Sequence, residues 1–129
     1  MNPYSEIQAR LGLPQPLPHN PTWSAAPDFI GLIVEHCLQA KPAVIVECSS
    51  GLTTLALARC CQLNGGGRVV SLENGEEYAE QTRRQLQASG LEAYAQVIHA
   101  PLERVFLDRD YDWYQLKNLP EVSIDMLVI

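Results

Sequence analysis

Basic residues are scarce in this chain. Its 129 residues include 9 lysines and arginines against 15 aspartates and glutamates, which gives a net charge of −6 at neutral pH. The longest basic block is the pair Arg83–Arg84. Proteins that bind nucleic acid or anionic membranes gain affinity by neutralising phosphate groups with basic residues. The composition therefore argues against both kinds of partner.

Long hydrophobic runs are also missing. The best apolar stretch, residues 29–38, is interrupted by Glu35 and His36. It falls far short of the roughly 20 residues that a membrane-spanning helix needs. The N-terminus lacks a basic segment followed by an apolar one, so no secretory signal is predicted. We therefore expect a cytoplasmic protein.

The cysteines lack the pattern of a zinc site. None of the four is separated from another by two residues, and their number is below that of a disulfide-stapled domain. We expect reduced, structural thiols at Cys37, Cys48, Cys60 and Cys61.

The run Asp108, Asp110 and Asp112 begins like a calcium loop, but Trp113 and Leu119 occupy the positions of its glycine and its bidentate acid. No metal site is predicted.

Prolines divide the chain into two parts. Six of the nine fall within the first 27 residues. Because proline interrupts helices and strands, residues 1–22 are predicted to form an N-terminal arm, with a short helix at 4–11. Residues 23–129 are predicted to form one domain, in keeping with the length of the chain.

The domain alternates between helix-like and strand-like segments. The segment 43–47 is rich in β-branched residues and lacks polar alternation, which is typical of a strand buried on both faces of a parallel sheet. The predicted order is helix 26–41, strand 43–47, helix 53–63, strand 68–73, a helix that Asn74 caps and that runs to about Ser89, strand 95–99, a mixed short helix and loop at 103–119, and strand 124–129. This order predicts an α/β fold of the Rossmann-like, three-layer type with right-handed crossovers.

The last predicted strand reaches the end of the sequence without a turn signal. Since a buried parallel strand is rarely a chain terminus, we expect the chain to be the N-terminal part of a longer domain. A four-stranded domain whose edge is covered by a partner is the alternative.

The most informative segment, residues 46–54, joins the first strand to the next helix. Free backbone N–H groups at such a junction attract an anionic or strongly polar ligand. Ser50 or Thr53 is predicted to lie near the N-cap of this helix. The dinucleotide fingerprint G-x-G-x-x-G would fall on Ser49, Gly51 and Thr54, so only one of its glycines is present, and no Walker A loop occurs.

A second acid, Glu73, ends the next predicted strand. The carboxyl ends of neighbouring parallel strands meet at one edge of a sheet, so Glu73 is expected close to Gly51. A carboxylate there can accept two hydrogen bonds from a ribose diol.

These residues resemble the class I S-adenosylmethionine-dependent methyltransferases. The closest pattern is a bacterial group whose first motif reads E-C-G-S-G-x-S-T, and here that motif is residues 47–54. The second motif would be residues 71–74 followed by Tyr78, and the third would be residues 97–102. The resemblance covers roughly residues 22–129 and implies the strand order 3-2-1-4, without the C-terminal strands of that fold.

The resemblance implies a role for each motif position. Glu47 would lie near the methionine amino group, directly or through water, and Glu73 would bind the ribose hydroxyls. Asn74 would flank the adenine, and residues 100–102 would line the adenine pocket. The positions expected to contact S-adenosylmethionine are Glu47, Ser49, Ser50, Gly51, Thr53, Glu73, Asn74, Ala100 and Leu102.

Two departures from the family pattern affect these expectations. Ser49 stands where the family usually has glycine, which would be unfavourable if that position requires a positive φ. The family's acidic loop and further strands, which usually hold the methyl acceptor and any base, do not occur in this sequence. We therefore assign no catalytic residue and expect little activity from this chain alone.

Two other functions stay open at the level of the sequence. One is a non-enzymatic Rossmann-like interaction module that forms a homodimer through the edge of the fourth strand. The other is an NAD-dependent oxidoreductase, which the incomplete glycine fingerprint disfavours.

Overall fold

The computed structural model describes residues 4–14, 16–18 and 24–129. The helices are α1 (Ser5–Leu11), α2 (Pro27–Ala40), α3 (Leu52–Asn64) and α4 (Glu76–Ala88). The strands are β1 (Val44–Cys48), β2 (Arg68–Glu73), β3 (Ala95–His99), β4 (Leu102–Phe106), β5 (Asp110–Tyr114) and β6 (Met126–Val128). Among the helices of residues 4–14 and 24–129, none combines the length and the hydrophobicity that a membrane-spanning segment requires.

Four of the strands form a parallel sheet in the order β3-β2-β1-β6. In its register, Cys48 lies opposite Leu72, and Glu73 lies opposite His99. The carboxyl ends of β1, β2 and β3 therefore meet at one edge, as the sequence predicted. The Rossmann-like α/β fold is confirmed, and β6 is the predicted fourth parallel strand, although it is shorter than residues 124–129.

The two faces of the sheet are covered differently. The face that carries Ile45, Val69 and Val97 packs against buried residues of all four helices in the main core. The opposite face carries a smaller cluster built on Val46, Val70, Leu72, Ile98 and Ala100, with Tyr114 and Leu119 packed against it. Residues that follow β3 thus supply the layer on the second face.

The prediction of a short helix and loop at residues 103–119 is wrong. This segment contains most of an antiparallel hairpin, in which Leu102 pairs with Tyr114 and Phe106 with Asp110. Arg104 lies 3.4 Å from both Asp110 and Asp112 across the hairpin. Asp110 and Asp112 therefore belong to a strand and pair with an arginine, whereas Asp108 precedes that strand and accepts from the Tyr111 hydroxyl at 3.0 Å.

The structure places the start of α3 next to the predicted Ser50, whereas the predicted Asn74 cap of α4 is wrong. Gly51 is the N-cap of α3, and Gly75 is the N-cap of α4 without a side-chain capping bond. The N–H of Gly51 donates to Thr54 Oγ1 at 3.0 Å, so the capping hydroxyl comes from inside the helix. At the other end of α3, Gly65 adopts the left-handed conformation, as the run of glycines predicted.

The N-terminal segment contributes to the main core. Tyr4, Ile7, Leu11 and Leu17 are all buried there. The Tyr4 hydroxyl donates to the carbonyl of Ala25 at 2.8 Å. The predicted arm lies partly outside the described residues, and its separation from the domain at residue 22 stays a prediction.

Candidate functional site

A cleft of about 700 Å³ opens at the carboxyl ends of β1 and β2, beside the first turn of α3. Seven of the nine residues that the sequence predicted to contact a cofactor line it. These are Glu47, Ser49, Ser50, Gly51, Thr53, Glu73 and Asn74. The parallel register explains the convergence, because it brings the ends of two strands and the start of one helix together.

The two remaining predicted residues do not line this cleft. Ala100 is buried in the smaller core cluster, and Leu102 is about half exposed at the start of the hairpin. His99, at the end of β3, has its Nε2 3.3 Å from the carbonyl oxygen of Asn74. Contact between residues 100–102 and an adenine ring therefore stays a prediction.

The turn between β1 and α3 has an unusual backbone. Ser49 has a φ of 111° and Gly51 a φ of 139°. Only glycine adopts such values freely, so the sequence-based concern about serine at position 49 applies here. The Ser49 N–H donates to the carbonyl of Leu72 at 2.8 Å, which holds the strained turn against β2. The first backbone N–H groups of α3 have no acceptor within the helix and point toward this turn.

Glu47 is a buried carboxylate surrounded by hydroxyl groups. Its side chain is about 1% exposed. Ser71 Oγ donates to Oε1 at 2.6 Å, Thr54 Oγ1 donates to the same oxygen, and Thr53 Oγ1 donates to Oε2. Burial raises the pKa of Glu47 above its ordinary value of 4.5, and these hydroxyl bonds oppose that shift. Glu47 thus ties β1 to β2 and to the first turn of α3.

Glu73 is the second buried carboxylate, about 5% exposed. Its Oε1 accepts from the Ser50 N–H at 3.2 Å and from the Ser50 hydroxyl at 2.7 Å. Its Oε2 accepts from the Gly75 N–H at 3.0 Å. Glu73 therefore connects the turn after β1 to the turn after β2 across the floor of the cleft.

One wall of the cleft was not found from the sequence. It comes from α4 and from the segment around the start of α2. The additional lining residues include Pro18, Phe29, Tyr78, Gln81, Thr82 and Gln85. Four of them recur at helical spacing along one side of α4, and that spacing is the signal that could have identified them.

The thiols fall into two environments. Cys37, Cys60 and Cys61 are fully buried in the main core. A hydrogen bond to Cys60 raises the pKa of Cys37 to about 12. Cys48 instead lines the cleft, where burial and the nearby Glu47 raise its pKa. Within the described residues, no group of three or more acidic, histidine or cysteine side chains is placed to hold a metal ion.

Sequence comparisons do not assign the chain to a family. No protein-family model matches the chain. No curated protein matches it either.

Solved methyltransferases are among the structures that have a similar fold. An O-methyltransferase from Bacillus cereus in complex with S-adenosylhomocysteine matches with a TM-score of 0.54 and 24% identity, over 76% of this chain and 43% of that chain. The methyltransferase of Podospora anserina bound to S-adenosylhomocysteine matches with a TM-score of 0.56 and 17% identity, over 78% and 42% of the two chains. An O-methyltransferase from Streptomyces achromogenes, involved in tomaymycin synthesis and in complex with S-adenosylmethionine, matches with a TM-score of 0.52 and 18% identity, over 75% and 42%.

These matches show a shared fold, that of the class I methyltransferases. This chain spans about two-fifths of the length of each of the three proteins.

Proposed function

We propose that this chain carries the S-adenosylmethionine-binding part of a methyltransferase. One observation carries the proposal: two buried carboxylates, Glu47 and Glu73, lie at the ends of adjacent parallel strands and border one cleft at the start of α3. In open α/β sheets, ligands bind in the crevice outside the carboxyl ends of the strands. The shared fold of solved methyltransferases supports the same assignment.

The residues present fit this cofactor. A cleft of about 700 Å³ lies within the roughly 300–1,000 Å³ of small-molecule sites. Glu73 supplies carboxylate oxygens for ribose hydroxyls, and the small residues Ser49 and Gly51 let the cofactor approach the backbone. Asn74 lies at the rim beside Glu73 and would flank the adenine.

Glu47 would act on the methionine ammonium through Thr53. The Thr53 hydroxyl donates to Glu47 Oε2 and lines the cleft, so its lone pairs can accept from an ammonium group. Glu47 itself is too deeply buried for broad contact with a ligand. In this arrangement the charge of Glu47 attracts the ammonium group, while its oxygens accept the hydrogen bonds that stabilise the turn.

When bound, S-adenosylmethionine supplies an activated methyl group on its sulfonium. The chain's own contribution is to bind and orient the cofactor, and orientation is a large part of catalysis by such enzymes. We assign no methyl acceptor and no catalytic residue. No specific observation favours an NAD-dependent oxidoreductase or a non-enzymatic module, and dimerisation through the β6 edge stays a prediction.

Calorimetric titration with S-adenosylhomocysteine tests the proposal. We expect wild type to bind and Glu73→Ala to lose at least about tenfold in affinity, because a charged hydrogen-bond partner of the ribose is removed. Glu77→Ala is the matched control, since this exposed acid lies in the first turn of α4 outside the cleft. Binding that Glu73→Ala leaves unchanged, or no binding by folded wild type, would overturn the proposal.

A further inference from the structure

The hydrogen bonds at Glu73 leave too few acceptor sites for a ribose diol. A carboxylate offers about four lone-pair positions, two on each oxygen. In the structure, Ser50 occupies both positions of Oε1 through its N–H and its hydroxyl. Gly75 occupies one position of Oε2. One acceptor position therefore remains free on Glu73. A ribose diol whose two hydroxyls both donate to this carboxylate needs two.

The Ser50 hydroxyl has a second acceptor within reach. Its Oγ lies 3.1 Å from Thr82 Oγ1. The Thr82 hydroxyl donates to the carbonyl of Tyr78 at 3.0 Å, so its oxygen can accept from Ser50. A small rotation of the Ser50 side chain toward Thr82 would therefore release one position of Glu73 Oε1 while the Ser50 hydroxyl stays bonded.

We infer that Ser50 competes with the ribose diol for Glu73 and thereby lowers the affinity of the cleft for its cofactor. The inference rests on the proposed function. In the free protein the Ser50 hydroxyl donates to Glu73, and in the complex it donates to Thr82. The second ribose hydroxyl takes the vacated position.

Titration calorimetry with two ligands tests this competition. The ligands are S-adenosylhomocysteine, which carries the diol, and its 2′-deoxy analogue, which carries one ribose hydroxyl. Ser50→Ala is expected to bind S-adenosylhomocysteine about five- to tenfold more tightly than wild type does, because no hydroxyl bond to the carboxylate has to be broken. The same variant is expected to bind the deoxy analogue with unchanged affinity, because one position is already free.

Two further variants sharpen the result. Ser123→Ala, at an exposed position outside the cleft, is the matched control and should change neither affinity. Thr82→Val removes the alternative acceptor, so it should weaken binding of S-adenosylhomocysteine about two- to fivefold and spare the deoxy analogue. Thermal melts of each variant confirm that it is folded before titration.

The outcomes separate this inference from the proposed function. If wild type binds S-adenosylhomocysteine and Ser50→Ala binds it equally or more weakly, the competition is refuted and the cofactor site stands. If Ser50→Ala tightens both ligands by the same factor, the effect does not pass through the diol, and the competition is likewise refuted. If neither wild type nor Ser50→Ala binds, both the site and the competition fall.

Discussion

Ser49 holds a backbone conformation that its side chain disfavours. Its φ of 111° lies in a region that glycine adopts freely and other residues rarely do. The strain persists because the turn is fixed on both sides, by the hydrogen bond of Ser49 N–H to Leu72 and by the contacts of Ser50 with Glu73. Strain of this kind is concentrated at functional sites.

Replacing Ser49 with glycine should stabilise the protein. We expect Ser49→Gly to raise the free energy of unfolding by about 1 kcal/mol, since relief of roughly 1–3 kcal/mol of strain exceeds the added entropy of the unfolded chain. Urea unfolding measures the change. Ser123→Gly, at an exposed position with ordinary φ, should be destabilising or neutral. Equal destabilisation by the two substitutions would show that Ser49 is not strained.

Glu47 should make stability depend on pH. Because burial raises its pKa in the folded state above 4.5, the folded protein binds its proton more tightly than the unfolded chain does. This contribution is complete below the unfolded pKa, and it is lost as the pH rises from there through the folded pKa.

The unfolding free energy of Glu47→Gln isolates this contribution. The difference between wild type and Glu47→Gln should fall with rising pH above about 4.5, with a slope of at most about 1.4 kcal/mol per pH unit. Unfolding curves recorded at several pH values give the slope. The exposed Glu77→Gln is the control, and a difference that stays flat or rises for Glu47→Gln would contradict the effect of burial.

At the scale of the elements, the turn between α3 and β2 shows two adjacent glycines with different roles. A Cβ at Gly67 would lie 2.8 Å from the carbonyl oxygen of Pro42 and 3.2 Å from Cys61 Sγ, and Gly67 has a φ of 100°. A Cβ at Gly66 would meet nothing within 4 Å. The close approach of the chain at Gly67 packs the end of α3 against the start of β1.

Alanine should therefore be costly at Gly67 and tolerated at Gly66. We expect Gly67→Ala to lower the free energy of unfolding by about 2–4 kcal/mol, through backbone strain and a clash with backbone atoms. Gly66→Ala should stay within about 1 kcal/mol of wild type, or stabilise slightly by restricting the unfolded chain. Thermal or urea unfolding checks both, and similar losses at both positions would contradict the packing described here.

The sequence predicts the buried strands of the parallel sheet well and the exposed hairpin poorly. The bounds of β2 and β3 match the predicted ones, because each strand is built around two adjacent β-branched residues and lies between clear turn signals. The β4–β5 hairpin was missed because it is exposed along most of both strands. The alternation of aspartate with Tyr111 and Trp113 was the available signal, and we interpreted it as a loop.

The same contrast holds within the cleft. Glu47, Glu73 and the turn after β1 could be predicted because motif spacing and a parallel register bring them together. The α4 part of the wall has the helical spacing that could have identified it, whereas the place of Phe29 depends on how α2 packs, which single-sequence patterns do not determine. The hydrogen bonds that Ser50 donates to Glu73 depend on side-chain geometry, which only the structure shows.

At the scale of the whole molecule, a parallel sheet carries a cleft at the carboxyl end of its strands. The helices pack on one face, and the residues after β3 cover part of the other. We propose that this cleft binds S-adenosylmethionine through residues that the sequence motif supplies. A net charge of −6 is compatible with a ligand whose sulfonium and ammonium groups are cationic.

A crystal structure of the chain grown with S-adenosylhomocysteine tests this claim most directly. We predict that the ligand lies in the cleft with its ribose hydroxyls on Glu73 and its methionine end beside Thr53. We also predict that the Ser50 hydroxyl is turned toward Thr82. Well-defined ligand density elsewhere on the chain, or in the cleft without contact to Glu73, would rule out this cofactor site.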